Sequence, residues 1–525
     1  MRISVPKTIA LAIGAVTALF AVFPLTDTDI WWHLACAREW VTTWTPVRGP
    51  IVNVHEYFQQ VVSFVYNVGG ASLLVAFKAV LWGLVFALFL WPLNVANSRI
   101  NIIANAQGTN AANFVNNVIA NPVGVKQSIM RFALFAVLLF IFRFQFEIRP
   151  VLFSLIFLGV YWNVWPRLFA GGAWNGKRNV AKNVVAMVAI LAVQWLWCKF
   201  QGLYILGPIF ALNVFALQWW NSRGSEHQVP RRPRLLQVAF VALLFAMPFF
   251  HRAGLNLFLY PFGLLDRLLG LSPSAVAFAR EIAENRSPIT LLMAGENVLQ
   301  SSLMILLSAT GIVAAIRRLC RAESVWLLAT AILALVAERN FVLFLPVLFA
   351  VALNVRIPAP LNITNRKSPA LNGSFAIVFA IVLVVLIAFI LGLWLRSVSN
   401  YDSMVAYQRV PVAAAEWMKS HPHPGRLFND DRAGGYLAFV NPSDSTYIDG
   451  RFILKTAEFF ENYLQYAESP QTFLHDAELQ NMDRVVLPLR YYARWGKLLT
   501  ALDSLENWHI AYQDAYFIVI DRTKR

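Results

Sequence analysis

Eleven long apolar runs constrain the fold of this chain more than any other sequence feature. A helix that crosses a membrane needs about 20 consecutive, mostly apolar residues. The runs cover residues 7–25, 70–93, 128–144, 150–168, 182–199, 203–220, 234–250, 297–316, 323–337, 340–356 and 373–396. Of the 525 residues, 58% are hydrophobic and only 14% are charged, against roughly a quarter charged in soluble domains. The sequence therefore predicts a polytopic α-helical membrane protein with about 11 spans.

The charges are divided unevenly between the loops. The formal net charge is +16, but the basic residues lie in short loops between apolar runs and form no nucleic-acid-binding motif. We therefore expect no nucleic acid partner. Basic residues concentrate in cytoplasmic loops of membrane proteins, which predicts a cytoplasmic N-terminus and places nearly all acidic residues of the membrane region outside. This pattern indicates a multi-pass protein of the cell inner (cytoplasmic) membrane.

A change of composition near residue 399 divides the chain into two predicted domains. Residues 1–398 contain the apolar runs, with long outer loops at 26–69 and 251–296, and residues 399–525 alternate short β-like and helical stretches. The pattern there predicts helices at 411–420 and 491–505, two helices before residue 484, and strands at 426–429, 445–449 and 516–521. An odd number of spans places this small α/β domain on the extracytoplasmic (periplasmic) side.

The first outer loop has its own helical pattern. Apolar spacing predicts an amphipathic helix along the membrane interface near residues 31–41. A second helix is expected over 54–68, and Gly69-Gly70 marks the boundary before the second span.

The same loop holds the densest group of chemically reactive side chains. Asp27, Asp29, Trp31, Trp32 and His33 fall within seven positions directly after the first apolar run. Carboxylates beside a span are costly unless they are paired or hydrated, so they are candidates for function. The two aspartates can bind a divalent cation such as Mg²⁺ or Mn²⁺, act as a general base, or cap the following helix. The tryptophans fit either interface aromatics or sugar platforms.

Other candidate residues lie on the same predicted face of the membrane. They are His55, Glu56, Arg149, Glu284 and Arg339. An arginine here can bind a phosphate with two hydrogen bonds. Alternatively, each arginine extends to the interface or pairs with a neighbouring acid, and the His55-Glu56 pair equally fits a solvated helix face.

The stretch Asp27-Thr-Asp-Ile-Trp-Trp-His-Leu34 resembles the first-loop signature of GT-C-type polytopic glycosyltransferases, in particular the bacterial branch related to dolichyl-phosphate-mannose protein mannosyltransferases. Similar short elements follow in order along nearly the whole chain: His55-Glu56-Tyr57, Gly69-Gly70, Arg149-Pro150, Glu338-Arg339-Asn340, Arg426-Leu-Phe-Asn-Asp430, Gly434-Gly435-Tyr436 and Ile448-Asp-Gly-Arg451. Gln201 departs from the pattern, because an Asn/His-Gly element is expected after the fifth span.

The resemblance implies a GT-C-like fold and transfer from a polyprenyl-phosphate-linked sugar at the outer face, with inversion at the anomeric carbon. An acidic residue of the first loop would be the general base; by position we favour Asp27, with Asp29 second as base or metal ligand and His33 beside them. His55, Glu56, Arg149, Glu284 and Arg339 would bind the donor. The expected partners are the lipid-linked donor, membrane lipids and an envelope-assembly protein bound through 400–525.

Two other functions fit the sequence. A transporter or flippase of lipid-linked saccharides would also be polytopic. Transporters usually show internal repeats and mid-membrane charges, whereas this chain shows no repeat and its charges gather at one face. A non-catalytic GT-C-like subunit that scaffolds a cell-envelope complex would account for the departure at Gln201.

Overall fold

The computed structural model describes residues 5–40, 42–48, 52–91, 122–168, 177–222, 231–269, 282–354, 385, 388–396, 398–399, 403–490 and 493–523. Up to residue 354 the described chain is helical. Its helices are α1 (Val5–Phe20), α2 (Asp29–Cys36), α3 (Glu56–Leu90), α4 (Pro122–Ile141), α5 (Pro150–Leu168), α6 (Lys177–Phe200), α7 (Leu206–Ser222), α8 (Arg231–Ala246), α9 (Gly254–Leu269), α10 (Pro288–Met293), α11 (Val298–Ile316), α12 (Ala322–Val336) and α13 (Phe341–Asn354).

Each of the first ten predicted apolar runs coincides with one of these helices. Within the described residues, five helical stretches are long and apolar enough to cross a membrane: α3, α5, residues 179–200, residues 202–220 and α11. Residues 235–250 and 254–263 make a sixth if their 109° bend lies within one span. The eleventh run, 373–396, lies mostly outside the described residues, as does the asparagine-rich stretch 94–121. The chain is a multi-pass membrane protein, and the count of eleven spans stays a prediction.

Helix α3 joins two elements that the sequence predicts as separate. The expected outer-loop helix at 54–68 and the second span form one helix with a kink at Gly69 and Gly70. Gly70 has φ 61°, a conformation that residues with a Cβ rarely adopt. The glycine pair therefore bends the helix where the span begins instead of ending it.

The membrane helices pack closely where small residues meet. A Cβ atom on Gly14 of α1 would lie 2.8 Å from the carbonyl oxygen of Gly83 in α3. Small residues allow backbones to approach in this way, which strengthens dispersion contacts between membrane helices. The contact holds the middle of α1 against the C-terminal part of α3.

Residues 403–523 form a small α/β unit. Its elements are α14 (Val412–Ser420), β1 (Arg426–Asn429), α15 (Asp431–Val440), α16 (Ala457–Glu468), α17 (Pro470–Leu479), β2 (Met482–Pro488), α18 (Gly496–Asp503), β3 (Trp508–Gln513) and β4 (Phe517–Arg522). The sheet order is β1-β2-β4-β3; β1 and β2 are parallel and the other pairs are antiparallel. A core of buried aromatic and aliphatic side chains, including Phe428, Tyr463 and Trp495, fills one face.

The predicted strand at 445–449 is wrong, and β2 and β3 are not among the predicted strands. Residues 445–449 make a single bridge, between Thr446 and Thr43. In that bridge the backbone N–H of Trp44 donates to Thr446, and the N–H of Thr446 donates to Thr42. The next N–H, that of Tyr447, donates to Asn429 Oδ1 at 2.8 Å. Because those groups are already satisfied, this segment joins no sheet.

Helix α2 does not lie along the membrane interface as predicted. Trp31 is fully buried and Trp32 is 7% exposed, because α15 covers this helix. The Trp31 ring lies 4.7 Å from that of Tyr436 and 5.6 Å from that of Phe439. These tryptophans are therefore protein core and not interface aromatics.

A buried ion pair ties the first outer loop to the α/β unit. Arg451 donates to both carboxylate oxygens of Asp449, with Nη2 at 2.6 Å and Nε at 3.0 Å. The same guanidinium donates to the Cys36 sulfur at 2.9 Å, to the Thr42 hydroxyl at 2.7 Å and to the carbonyl of Trp40. The Ile448-Asp-Gly-Arg451 motif therefore anchors the first outer loop to the α/β unit.

Candidate active site

Four short segments meet where the membrane helices reach the α/β unit. They are the first outer loop at 26–29, the extended stretch 146–149, the 3₁₀ turn Ala283–Asn285 and the 3₁₀ turn Glu338–Asn340. Five predicted site residues come together here: Asp27, Asp29, Arg149, Glu284 and Arg339. They lie far apart in sequence, so only the packing of the helices assembles them.

Arg149 binds two carboxylates at once. Its Nε and Nη2 donate to the two oxygens of Asp27 at 2.7 Å and 2.9 Å. Its Nη1 and Nη2 donate to the two oxygens of Glu284 at 2.5 Å and 2.7 Å. Bidentate pairs of this kind are strong and fix geometry. Asp27, which is 5% exposed, is therefore held in place with both oxygens engaged.

Asp29 occupies a different environment two residues later. It begins α2, and its backbone N–H donates to Asp27 Oδ1 at 3.3 Å. Burial and the neighbouring charge of Asp27 raise the pKa of Asp29 to about 8. A Cβ atom on Gly450 would lie 2.2 Å from Asp29 Oδ1, so the α/β unit closes directly over this carboxylate. Asp29 is the carboxylate of the pair that Arg149 does not bind.

Glu284 and Arg339 carry opposite charges beside this pair. Burial opposes ionisation of Glu284, yet the Arg149 guanidinium lowers the pKa of this carboxyl to about 2. Arg339 is exposed, and its charge interacts with Glu284, Arg149 and Asp29. In the described part of the chain its side chain makes no hydrogen bond or ion pair. Arg339 is thus a cation available to a ligand.

His33 and His55 form a second group, one turn along α2 from Asp29. The His33 ring is 2% exposed and lies 5.4 Å from the His55 ring and 4.7 Å from the Phe58 ring. Burial lowers the pKa of His33 well below its usual range and that of His55 to about 4. Both imidazoles are therefore neutral near pH 7. Nδ1 of His55 lies 3.3 Å from the carbonyl oxygen of Phe200.

Glu56 does not join the aspartates. It is exposed and pairs with Lys199 at 2.6 Å, which is the solvated-face alternative for this residue.

Gln201, at the departure from the family pattern, accepts a hydrogen bond from the backbone N–H of Gly202 at 2.5 Å. Its side chain starts the short turn that precedes α7.

The carboxylates do not fit a divalent cation in this arrangement. Both oxygens of Asp27 are bound by Arg149, which leaves Asp29 without a partner ligand. Among the described residues, no group of three or more His, Cys, Asp or Glu side chains is placed to hold a metal ion. The guanidinium of Arg149 occupies the position between Asp27 and Glu284 that a cation would need.

Two residues beneath the site were missed as candidates from sequence. Lys78 is fully buried in α3, 3.9 Å from Glu147. A signal for Lys78 was present, because it is the single charged residue of the apolar run 70–93, and a charge inside a span suggests function. Glu147 carries no such signal, because it is one of many acidic residues in the loops between the apolar runs.

No protein-family model matches the chain, and no curated protein matches it by sequence. The structure is similar to the crystal structure of the Archaeoglobus fulgidus oligosaccharyltransferase tethered with an acceptor peptide containing the NVT sequon. The TM-score is 0.52 at 13% identity, over 99% of this chain and 74% of that chain. That enzyme is a membrane glycosyltransferase of the GT-C superfamily.

The chain has a GT-C fold. This confirms the fold that the motifs between Asp27 and Arg451 predicted. The GT-C enzyme ArnT from Cupriavidus metallidurans, crystallised with undecaprenyl phosphate, is a more distant match, with a TM-score of 0.43 at 14% identity over 98% of this chain and 96% of that chain. At these identities the likeness concerns the fold alone.

Proposed function

We propose that this protein is a membrane glycosyltransferase that moves a sugar from a polyprenyl-phosphate-linked donor to an acceptor at the outer face of the membrane. The observation that carries the proposal is the meeting of three carboxylates and two arginines, from four segments, beneath the α/β unit. The GT-C fold supports it, since the oligosaccharyltransferase with this fold was crystallised with an acceptor peptide. The split of basic and acidic loops supports the outer face.

Asp29 is the general base in this proposal, in place of the Asp27 that its sequence position favoured. Asp27 has both oxygens bound by Arg149, so accepting a proton would weaken two charge-assisted hydrogen bonds. Asp29 has a pKa raised to about 8, and a base is most effective when its pKa lies near the working pH. Asp27 instead orients Arg149 and, through its charge, tunes Asp29.

Arg339 is the group that binds the donor phosphate. It is exposed, and Arg149 is already engaged with two carboxylates. A fixed cation beside the leaving phosphate stabilises the negative charge that develops there as the sugar departs. Glu284 keeps Arg149 in place and lies close enough to Arg339 for their charges to interact.

The reaction is a direct displacement with one base and one leaving group. Asp29 takes the proton from the acceptor nucleophile as that atom bonds to the anomeric carbon. The bond from this carbon to the phosphate oxygen breaks at the same time, and the polyprenyl phosphate leaves beside Arg339. Attack opposite the leaving group inverts the anomeric centre. Neutral His55, which is half-buried, offers a hydrogen bond to a sugar hydroxyl, and the buried His33 ring packs against it.

The proposal is tested with the full chain in proteoliposomes supplied with radiolabelled polyprenyl-phosphate sugars. Wild-type protein should form a new glycosidic bond, and Asp29→Asn should reduce turnover by about 10²–10⁴-fold, the usual contribution of a positioned base. Glu416→Gln, at an exposed carboxylate of the α/β unit, is the matched control. Movement of labelled lipid across the bilayer without a new glycosidic bond would show a transporter instead.

A further inference from the structure

A charged pair lies beneath the candidate site and takes no part in the reaction above. Nζ of Lys78 is 3.9 Å from Oε2 of Glu147, and the two side chains are 0% and 9% exposed. The ammonium also donates to the carbonyl of Phe23 at 3.1 Å and lies 3.4 Å from the centre of that ring. Charges inside a membrane helix are costly, and apolar residues of similar size are often as stable as a buried ion pair. Stability alone therefore does not account for this pair.

Two adjacent contacts connect the pair to the site. Thr26 donates its hydroxyl to Glu147. The next residue, Asp27, is bound by Arg149, two positions after Glu147. Trp82, one turn beyond Lys78 on α3, donates its indole N–H to the carbonyl of Glu147 at 3.0 Å. Helix α3 thereby fixes the loop and the extended stretch 146–149 relative to each other.

We propose that Lys78 and Glu147 are positioning residues, which hold the Asp27–Arg149 pair, and through it Asp29, in the geometry that transfer requires. Neither side chain reaches the reacting atoms; each acts through the segments that it joins. The kinetic part of this inference rests on the proposed function, whereas the placement of Asp27 does not.

The kinetic test compares Lys78→Met with the double variant Lys78→Met/Glu147→Leu in the full chain. Both should lose about 100-fold in kcat, the effect of a misplacement of roughly 1 Å, while KM stays within threefold of wild type. The double variant leaves no unpaired buried charge, so it folds even where the single variant does not. Gln194→Leu is the matched control, because Gln194 is equally buried and its hydrogen bond to Tyr161 lies away from the loop.

A chemical readout tests the placement without any turnover. Carbodiimide labelling of Asp27, read by peptide mass spectrometry, should be low in wild type because Arg149 covers both oxygens, and should rise at least fivefold in both variants but not in the control. A folded double variant with wild-type kcat and wild-type labelling overturns the proposal. If wild-type protein transfers no sugar, the proposed function fails, and the labelling still decides whether Lys78 and Glu147 position Asp27.

Discussion

The proposed sugar transfer should accelerate about tenfold between pH 6 and 7, reach half of its maximum near pH 8 and level off above about pH 9. The pKa of Asp29 is raised to about 8 by burial and by the charge of Asp27. A general base works only when ionised, and below its pKa the ionised fraction falls about tenfold for each pH unit. The measurement is kcat/KM for a polyprenyl-phosphate sugar from pH 5.5 to 9.5, with vesicle integrity checked at each pH.

Neighbouring charges should move this midpoint in opposite directions. The Asp27 charge raises the pKa of Asp29 and the Arg149 charge lowers it, so Asp27→Asn should shift the midpoint down and Arg149→Gln should shift it up. Burial and the charge of Glu284 raise the pKa of Glu338 to about 7. Glu338→Gln separates the two groups, because it should leave the midpoint near 8. A profile that is flat from pH 6 to 9, or an Asp29→Asn variant with more than a tenth of wild-type turnover, would refute the assignment.

Three further predictions test the surroundings. Arg339→Gln should weaken binding of undecaprenyl phosphate about tenfold or more, since a charged hydrogen bond contributes about 1.5–3 kcal/mol, with Tm unchanged; unaltered calorimetric affinity would argue against it. Gly450→Ala should lower kcat about 10–100-fold, because the added Cβ meets Asp29 Oδ1 at 2.2 Å; turnover equal to wild type would contradict this contact. Arg451→Met should cost about 3–5 kcal/mol by leaving Asp449 buried alone, seen as a lower Tm and faster maleimide labelling of Cys36; slow labelling would show that the loop stays closed.

The helices of the membrane part were predictable because their signal is local. The predicted run 150–168 begins and ends at the same residues as helix α5. About twenty consecutive apolar residues leave few alternatives to a helix in a bilayer. The conformation of residues 445–449, in contrast, depends on partners that are distant in sequence. Their β-like composition predicts a strand, but the partners that satisfy their backbone are Asn429 and the first outer loop, about 400 positions earlier for the loop.

The residue types of the candidate site were predictable, but their roles were not. Four of the site residues share a local feature, a charge next to the end of an apolar run: Asp27, Asp29, Arg149 and Arg339. Glu284 is an acidic residue of the second long outer loop. No sequence pattern says which carboxylate Arg149 binds, because that depends on the packing of α5 against α3. The choice between two aspartates two positions apart therefore changed once the guanidinium was placed.

The contacts of Arg451 with the first outer loop also set the order in which this part of the fold can form during synthesis. The guanidinium binds the carbonyl of Trp40 across 411 positions of sequence, and Gly450 closes over Asp29. The first outer loop is synthesised early, whereas Arg451 is synthesised only after all eleven apolar runs. A nascent chain therefore cannot make either contact until residues 403–523 have been synthesised. The candidate site is complete only after these residues have folded against the loop.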